Sequence, residues 1–400
     1  MKISNPHPLS THFESHYDVV IIGARAAGAS TAMLLARRGL RVLAVDRSAY
    51  GSDTLSTHSL ARTGVLQLSR WGLLDELRAA GTPVTDTVEF HYGGEPVVID
   101  VASDGDVDGL YSPRRTVLDA LLVDSAIASG AEVRHGVNVV GITSSEAGRI
   151  DGIEVDVGGV RRRISADWVV GADGIRSKVA RHVGAATVHE ESSGSAVLYG
   201  YWTGLADNVM ANHWSIRGRS AGVIPTNDGQ TCVWVAVRPE RFARYARGDI
   251  RAAYDRAIAE NPALSYTVRD ARCVGGFRRF RGVPGYLRQA FGKGWALVGD
   301  AGYFKDPVSA HGITDAFTSA EFLADALAAA AGGANPNEAL AEYQRQRDEL
   351  AALLMPPVAR LASLDLGPDE AKEAFRTMNG ALRAEYALMV DRPTLALAAA

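Results

Sequence analysis

The chain has 400 residues, 47% hydrophobic and 22% charged, the composition of a globular protein too long for a single core. A net charge of −4 with no basic stripe argues against a nucleic-acid partner, and the dispersed acids form no tail. No stretch reaches the ~18 apolar residues of a membrane span, and the polar start, with Pro6 and Pro8, lacks a secretory signal's apolar segment. Cys232 and Cys273 have neither metal-ligand nor redox spacing, so two reduced thiols and a cytoplasmic location are expected.

Residues 17–23 (YDVVIIG) form a continuous apolar run rich in β-branched side chains, the pattern of a strand buried on both faces. A glycine turn, a helical pattern from Ala27 to Arg38 and a second apolar run, 41–46, complete a βαβ unit. Helices are expected within 60–80 and antiparallel strands within 88–101. An amphipathic helix is expected over 115–129, a strand over 132–140, a hairpin across Gly158-Gly159 and an apolar strand over 167–170. Alternation over 195–240, broken by Asn227-Asp228-Gly229, indicates an antiparallel sheet. A short strand at 295–298 precedes a helical remainder with a linker at 332–336.

The first strand-to-helix turn reads Gly23-Ala24-Arg25-Ala26-Ala27-Gly28. In the dinucleotide pattern G-x-G-x-x-G, the middle glycine lets backbone approach a pyrophosphate. Arg25 occupies that place, while Gly23 and Gly28 keep the tight turn and the close helix packing. The helix start at Ala26 and Ala27 offers N–H groups to phosphate. Asp46, ending the second strand, can accept hydrogen bonds from ribose hydroxyls.

Two later motifs narrow the reading. Residues 169–181 (VVGADGIRSKVAR) resemble the Asp-Gly fingerprint of flavoprotein hydroxylases, centred on Asp173. Residues 294–306 (GWALVGDAGYFKD), with Pro307 and Gly312, resemble their Gly-Asp motif. In order, the three motifs resemble the FAD-dependent superfamily of group A (para-hydroxybenzoate hydroxylase-like) monooxygenases, halogenases and geranylgeranyl reductases, over residues 17 to about 350.

That resemblance implies an α/β fold: a Rossmann-like FAD-binding domain with an inserted antiparallel β-sheet substrate domain and a C-terminal helical region. The expected boundaries are 16–82, 110–182 and 275–335 for the FAD domain, 83–109 and 183–274 for the substrate domain, and 336–400 for the helices. It also implies that Gly299 and Asp300 meet the ribitol chain and that Gly312 and Ile313 present N–H groups to the flavin. Arg115, with Arg47 as a second candidate, would lie near the diphosphate. The family's P-x-x-G-x-G is altered here, with Ala310 and His311 in place of the first glycine and its neighbour. His311, and His58 in the DTLSTH segment expected near the isoalloxazine, are candidates for proton transfer because imidazole titrates near neutrality.

Halogenases of this superfamily carry W-x-W-x-I-P and a lysine between the first two motifs. Here 220–225 read SAGVIP, and no lysine occurs from 3 to 177. Geranylgeranyl reductases carry an aromatic where Gly222 stands. Hydroxylation of a small aromatic or polyketide-like metabolite with NAD(P)H and O2, through a flavin C4a-hydroperoxide, is therefore expected. An FAD-dependent reductase or dehydrogenase of the geranylgeranyl reductase type, without oxygen insertion, is the alternative. No second dinucleotide fingerprint appears, which fits transient NAD(P)H binding. Tyr201, Trp214 and Trp234 are candidate substrate contacts, and no metal site is expected.

Overall fold

The computed structural model describes residues 13–56, 58–205, 209–215, 218–245 and 247–393, with side chains described throughout except at 209 and 213–215. The apolar runs pair as parallel strands in the order Trp295–Leu297, Val160–Gly171, His16–Ile22, Val42–Asp46, Glu132–His135. Such strands must be covered on both faces. One face packs under the helices Ala26–Ala36, Arg115–Ala128 and Gly312–Ala331, with Val19, Ile21, Met33, Leu118, Phe317 and Leu323 buried together. The other face carries Val20, Leu43, Val169 and Leu297 against the hairpin of Ile150–Val157. The strand expected at 167–170 is the inner end of Val160–Gly171, one continuous strand that leaves the hairpin and enters the parallel sheet.

A second, seven-stranded sheet runs in the order Arg272–Phe280, Ala196–Thr203, Gln230–Val237, Arg219–Thr226, Val209–Ser215, Thr87–His91, Val97–Asp100. The expected boundary at 274/275 falls inside Arg272–Phe280, which pairs with Ala196–Thr203 from Arg272 to Phe280. That strand lacks an alternating pattern because Arg and Gly fill it, so its sheet membership leaves little trace in the sequence. Strict alternation elsewhere divides the sheet. Leu198, Val223, Val233 and Val235 face the helices around Tyr254, while Val197, Tyr199, Tyr201, Cys232 and Trp234 face Phe375 and Met378 of the Pro368–Asp391 helix.

The helix Pro336–Ala362 continues past Pro356 and Pro357. The loop after Trp295–Leu297 is fastened to the second sheet by Asp306. Its carboxylate accepts from the Ser195 N–H (2.5 Å) and hydroxyl (2.8 Å), and it caps the short turn Pro307–Ser309 through the Val308 N–H (2.9 Å).

Candidate functional site

At the glycine turn, Gly23 has φ +104, and a Cβ on Gly28 would lie 1.8 Å from the Gly23 carbonyl oxygen. Both glycines are therefore required by geometry. The helix beginning at Ala26 has no side-chain cap and no acid in its first turn, although Ala26 is buried. A buried helix start without partners asks for a ligand, and its dipole favours an anion. Asp46 accepts from the Ala24 N–H (2.9 Å) and the Ser48 N–H (2.7 Å), which fixes its carboxylate beside that turn.

Arg25, standing where glycine is usual, turns its guanidinium to Asp119 (2.8 Å) and to the Ser52 carbonyl and hydroxyl. Arg115 grips the other oxygen of Asp119 at 2.7 Å. Two cations on one buried carboxylate leave a surplus positive charge where a diphosphate would sit. Arg47 is exposed on the surface. Asp119, Ser52 and His135 escaped the sequence reading. His135 pairs with Asp46 across the strands, has a buried Nε2 without a partner among the described residues, and is held below the ordinary imidazole range chiefly by burial.

The other two motifs adjoin the same glycine turn and its helix. One oxygen of Asp173 accepts from the Lys178 N–H (2.6 Å), while its Oδ1 is buried with no partner among the described residues. Gly299 has φ +59, and a Cβ there would lie 2.7 Å from the Ala27 Cβ, so the first and third motifs touch. Burial pushes Asp300 up to about 6, with Asp315 adding to the rise and Arg115 and Lys305 opposing it. Beyond it, the helix Gly312–Ala331 begins without a side-chain cap, and a Cβ on Gly312 would meet nothing within 4 Å. Pro307 stands at the first position of the preceding turn, and Ile313 is buried just inside the helix. Ala310 adopts φ +50, the left-handed conformation that the family's glycine would take freely.

Neither candidate histidine titrates near neutrality. His58 is buried with φ +69, and its Nε2 lies 2.6 Å from the Tyr201 hydroxyl. Burial, reinforced by Arg114 and Arg115, brings it down to about 3. For His311 burial works downward, but Glu385 and Asp315 overcome it and hold the ring at about 9. His311, Asp315 and Glu385 have metal-ligand spacing, but the Lys305 ammonium contacts Asp315 and lies 3.2 Å from His311 Nδ1. A cation of the chain already fills that position.

Next to Pro307 and Ala310 lies a cavity of about 350 Å³, at the lower end of the range for small-molecule sites. Its walls are the second sheet (Val88, Phe90, Ile224, Trp234), the segment Ser59–Thr63 and the Pro368–Asp391 helix (Phe375, Met378, Tyr386). Trp234 lies on this wall. Gly222, its cross-strand partner, leaves room for the indole: a Cβ there would lie 2.8 Å from the ring. Tyr201 is not a wall residue, because it is drawn to His58 and covered by the Arg114 guanidinium 3.7 Å above its ring. The Trp214 side chain lies outside the described residues. The apolar residues of the C-terminal region, Phe375 and Leu382 among them, are compatible in sequence with either closing the substrate domain or pairing two subunits, and here both line the cavity.

A glycine turn on a parallel sheet, two uncapped helix starts and a buried acid between them define a flavin-adenine-dinucleotide-binding oxidoreductase. The chain belongs to the FAD binding domain family, whose profile matches residues 16–356. It is 26% identical over 310 residues to digeranylgeranylglycerophospholipid reductase 2 of Methanopyrus kandleri, covering 74% of this chain and 73% of that one. It is also 26% identical over 313 residues to the menaquinone reductase of Mycolicibacterium smegmatis, covering 74% and 72%. Among solved structures, the flavin-dependent brominase Bmp2 is similar with a TM-score of 0.78 at 20% identity, covering 94% of this chain and 98% of that one. PqsL of Pseudomonas aeruginosa, solved with 2-aminobenzoylacetate, gives 0.75 at 24%, covering 90% and 100%. These structural likenesses establish the shared fold.

The groups present fit FAD: the Asp46 carboxylate and the N–H groups of the Ala26 helix start would suit its adenosine diphosphate, the Asp300 carboxylate its ribitol hydroxyls, and the N–H groups of the Gly312 helix start its ring. No helix among the described residues is long and apolar enough to cross a membrane.

Proposed function

We propose that the chain is an NAD(P)H-dependent FAD monooxygenase that hydroxylates a small aromatic or polyketide-like metabolite. The supporting observation is the position of the apolar cavity against Pro307 to Ala310, immediately before the helix start that fits the flavin ring. Bound FAD supplies electron transfer from NAD(P)H and activation of O2.

The chain's own residues position the reactants and exclude water. The uncapped N–H groups at Gly312 and Ile313 would lie toward the flavin ring and, with the helix dipole, would favour negative charge there. Phe375 and Met378 close the cavity over an apolar substrate. The neutral His58–Tyr201 pair holds a hydroxyl proton under Arg114.

A polyprenyl reductase reading draws on the curated relatives, which are named as reductases. The test measures NAD(P)H and O2 consumption together and follows 18O2 into the product of a polyketide or phenol panel. Coupled consumption with label in the product is expected. Substrate-dependent NAD(P)H oxidation under strict anaerobiosis, with hydrogen added across an alkene, would decide for reduction.

A further inference from the structure

Four strands of the cavity wall are apolar with one exception. Thr87–His91, Val209–Ser215, Arg219–Thr226 and Gln230–Val237 turn Val88, Phe90, Met210, Ile224 and Ala236 to the cavity, besides the Trp234 indole, and they add one amide, Asn212. Strand alternation puts Asn212 on the same face as Met210, which belongs to the core on this side of the sheet. The charged residues of the wall lie elsewhere. Asp100 and Arg383 are exposed at its rim, and Arg62 is held by Asp104 (3.9 Å) and by the Tyr386 ring (4.2 Å).

The neighbours of Asn212 explain why the chain offers it no partner. It pairs with Phe90 on one side and with Gly222 on the other. Phe90 brings no polar side-chain atom, and Trp234 takes the space over Gly222, where a Cβ would lie 2.8 Å from its ring. The indole Nε1 is itself sealed inside the protein. The Asn212 carboxamide makes no hydrogen bond to a described residue, and the residue is only half-buried, so the amide stays open on the cavity side.

Water satisfies an open amide in the empty cavity. A ligand that fills the cavity expels that water and must replace its hydrogen bonds, or it leaves the amide unpaired at a cost in affinity. A carboxamide presents an acceptor beside a donor, so its complement is an edge that presents a donor beside an acceptor.

We propose that Asn212 is the specificity-determining residue of this cavity, and that it selects a largely apolar molecule with a neutral donor–acceptor edge, of which a primary carboxamide or a lactam is the simplest. The role rests on the reading of the cavity as the substrate site of a hydroxylase. A polyprenyl chain offers Asn212 neither group.

The test titrates the FAD-loaded protein calorimetrically, without turnover, with three near-isosteres: 2-naphthamide, 2-acetylnaphthalene and 2-isopropenylnaphthalene. They carry a donor and an acceptor, an acceptor alone, and neither. Affinities are read relative to the hydrocarbon, so that burial of the common ring system cancels. Asn212→Leu is expected to lower the relative affinity of the carboxamide about tenfold and that of the ketone about threefold. Asn212→Asp, which keeps an acceptor and removes the donor, should weaken the ketone more than the carboxamide. Flavin content and melting temperature establish that each variant is folded.

Unchanged relative affinities in folded Asn212→Leu would overturn the proposal, because the amide would then serve only to be hydrated. So would the absence of measurable carboxamide binding to the wild type, or tighter binding of 2-naphthoate than of the carboxamide. The 18O experiment reads the hydroxylase assignment separately. Label in the product with no effect of Asn212→Leu on the relative affinities defeats only this proposal, whereas an Asn212-dependent carboxamide preference with no label defeats only the hydroxylase reading.

Discussion

Glu385, on the Pro368–Asp391 helix, brings its Oε2 to 2.9 Å from Nε2 of His311, at the start of the helix Gly312–Ala331. The contact lies outside hydrogen-bond geometry, so the attraction is chiefly between charges. Lys305 and Asp315 complete a buried group of two cations and two anions, in which Asp315 is held below the ordinary carboxylate range against its own burial, first by Lys305. The helix that walls the cavity thus also carries a counter-ion for the start of Gly312–Ala331.

Removing one partner of such a pair strands the other. Glu385→Gln is expected to cost about 3 kcal/mol at neutral pH. The pH dependence has a definite sign. His311 rises from 6.5 to about 9 in the folded protein, so its stabilisation is full below about pH 6.5 and is lost as pH rises through 9. Calorimetric melting should show wild-type stability declining between pH 7 and 10, with a flatter curve for Glu385→Gln. Parallel curves would refute the assignment.

The pH–rate profile of NAD(P)H oxidation should have no imidazole limb between pH 5 and 8 from these two residues. His58 sits at about 3 and His311 at about 9. A limb in that window that disappears in His58→Asn would contradict the buried, neutral state of this ring.

FAD loading should weaken as pH falls through about 6, the position to which burial raises Asp300. Below that point the carboxyl is protonated and must lose its proton to serve as a full acceptor for ribitol hydroxyls. Asp300→Asn should reduce affinity at pH 8 by about tenfold, on the scale of a hydrogen bond to a charged group, and should abolish the pH dependence. Fluorescence titration of the apoprotein with FAD measures both effects.

Two glycines separate folding from cofactor binding. Gly28→Ala drives a Cβ into the Gly23 carbonyl and should destabilise the chain by about 3 kcal/mol or more. Gly312→Ala meets no atom of the chain and improves helix propensity. The apoprotein should melt at an unchanged or higher temperature while FAD binds more weakly. Equal FAD affinity in folded Gly312→Ala would remove that helix start from the flavin site.

Ala310→Gly relieves the left-handed φ of +50. Subtracting the entropy glycine loses on folding, the gain should be about 0.5–1 kcal/mol. Urea denaturation is precise enough to detect it.

The parallel sheet was legible because its strands are apolar on both faces, and the glycine turn because Gly23 and Gly28 are dictated by backbone contacts. The alternating strands of the second sheet were equally plain, whereas Arg272–Phe280 was hidden by its Arg and Gly content. Asp46 stood out by its place at the end of the second strand, and Asp300 and Gly312 through motifs read as a family resemblance. The partners of the charged residues could not. Asp119 lies on a helix remote in sequence from Arg25, and Glu385 sits in a segment with no motif at all. The protonation of both histidines depends on those distant charges and on burial, so an isolated imidazole told little about its state.

The pairing of Trp295–Leu297 with Val169–Gly171 also has a consequence for synthesis. Every residue of Ala196–Thr203, Arg219–Thr226 and Gln230–Val237 leaves the ribosome before the first sheet acquires its outer parallel strand. Until then the inner end of Val160–Gly171 presents an open hydrogen-bonding edge, apolar at Val169 and Val170. Such an edge is a template for pairing with another chain, and non-local parallel pairing is slow to close. A nascent chain arrested before residue 295 is therefore the form most prone to aggregate and to engage chaperones.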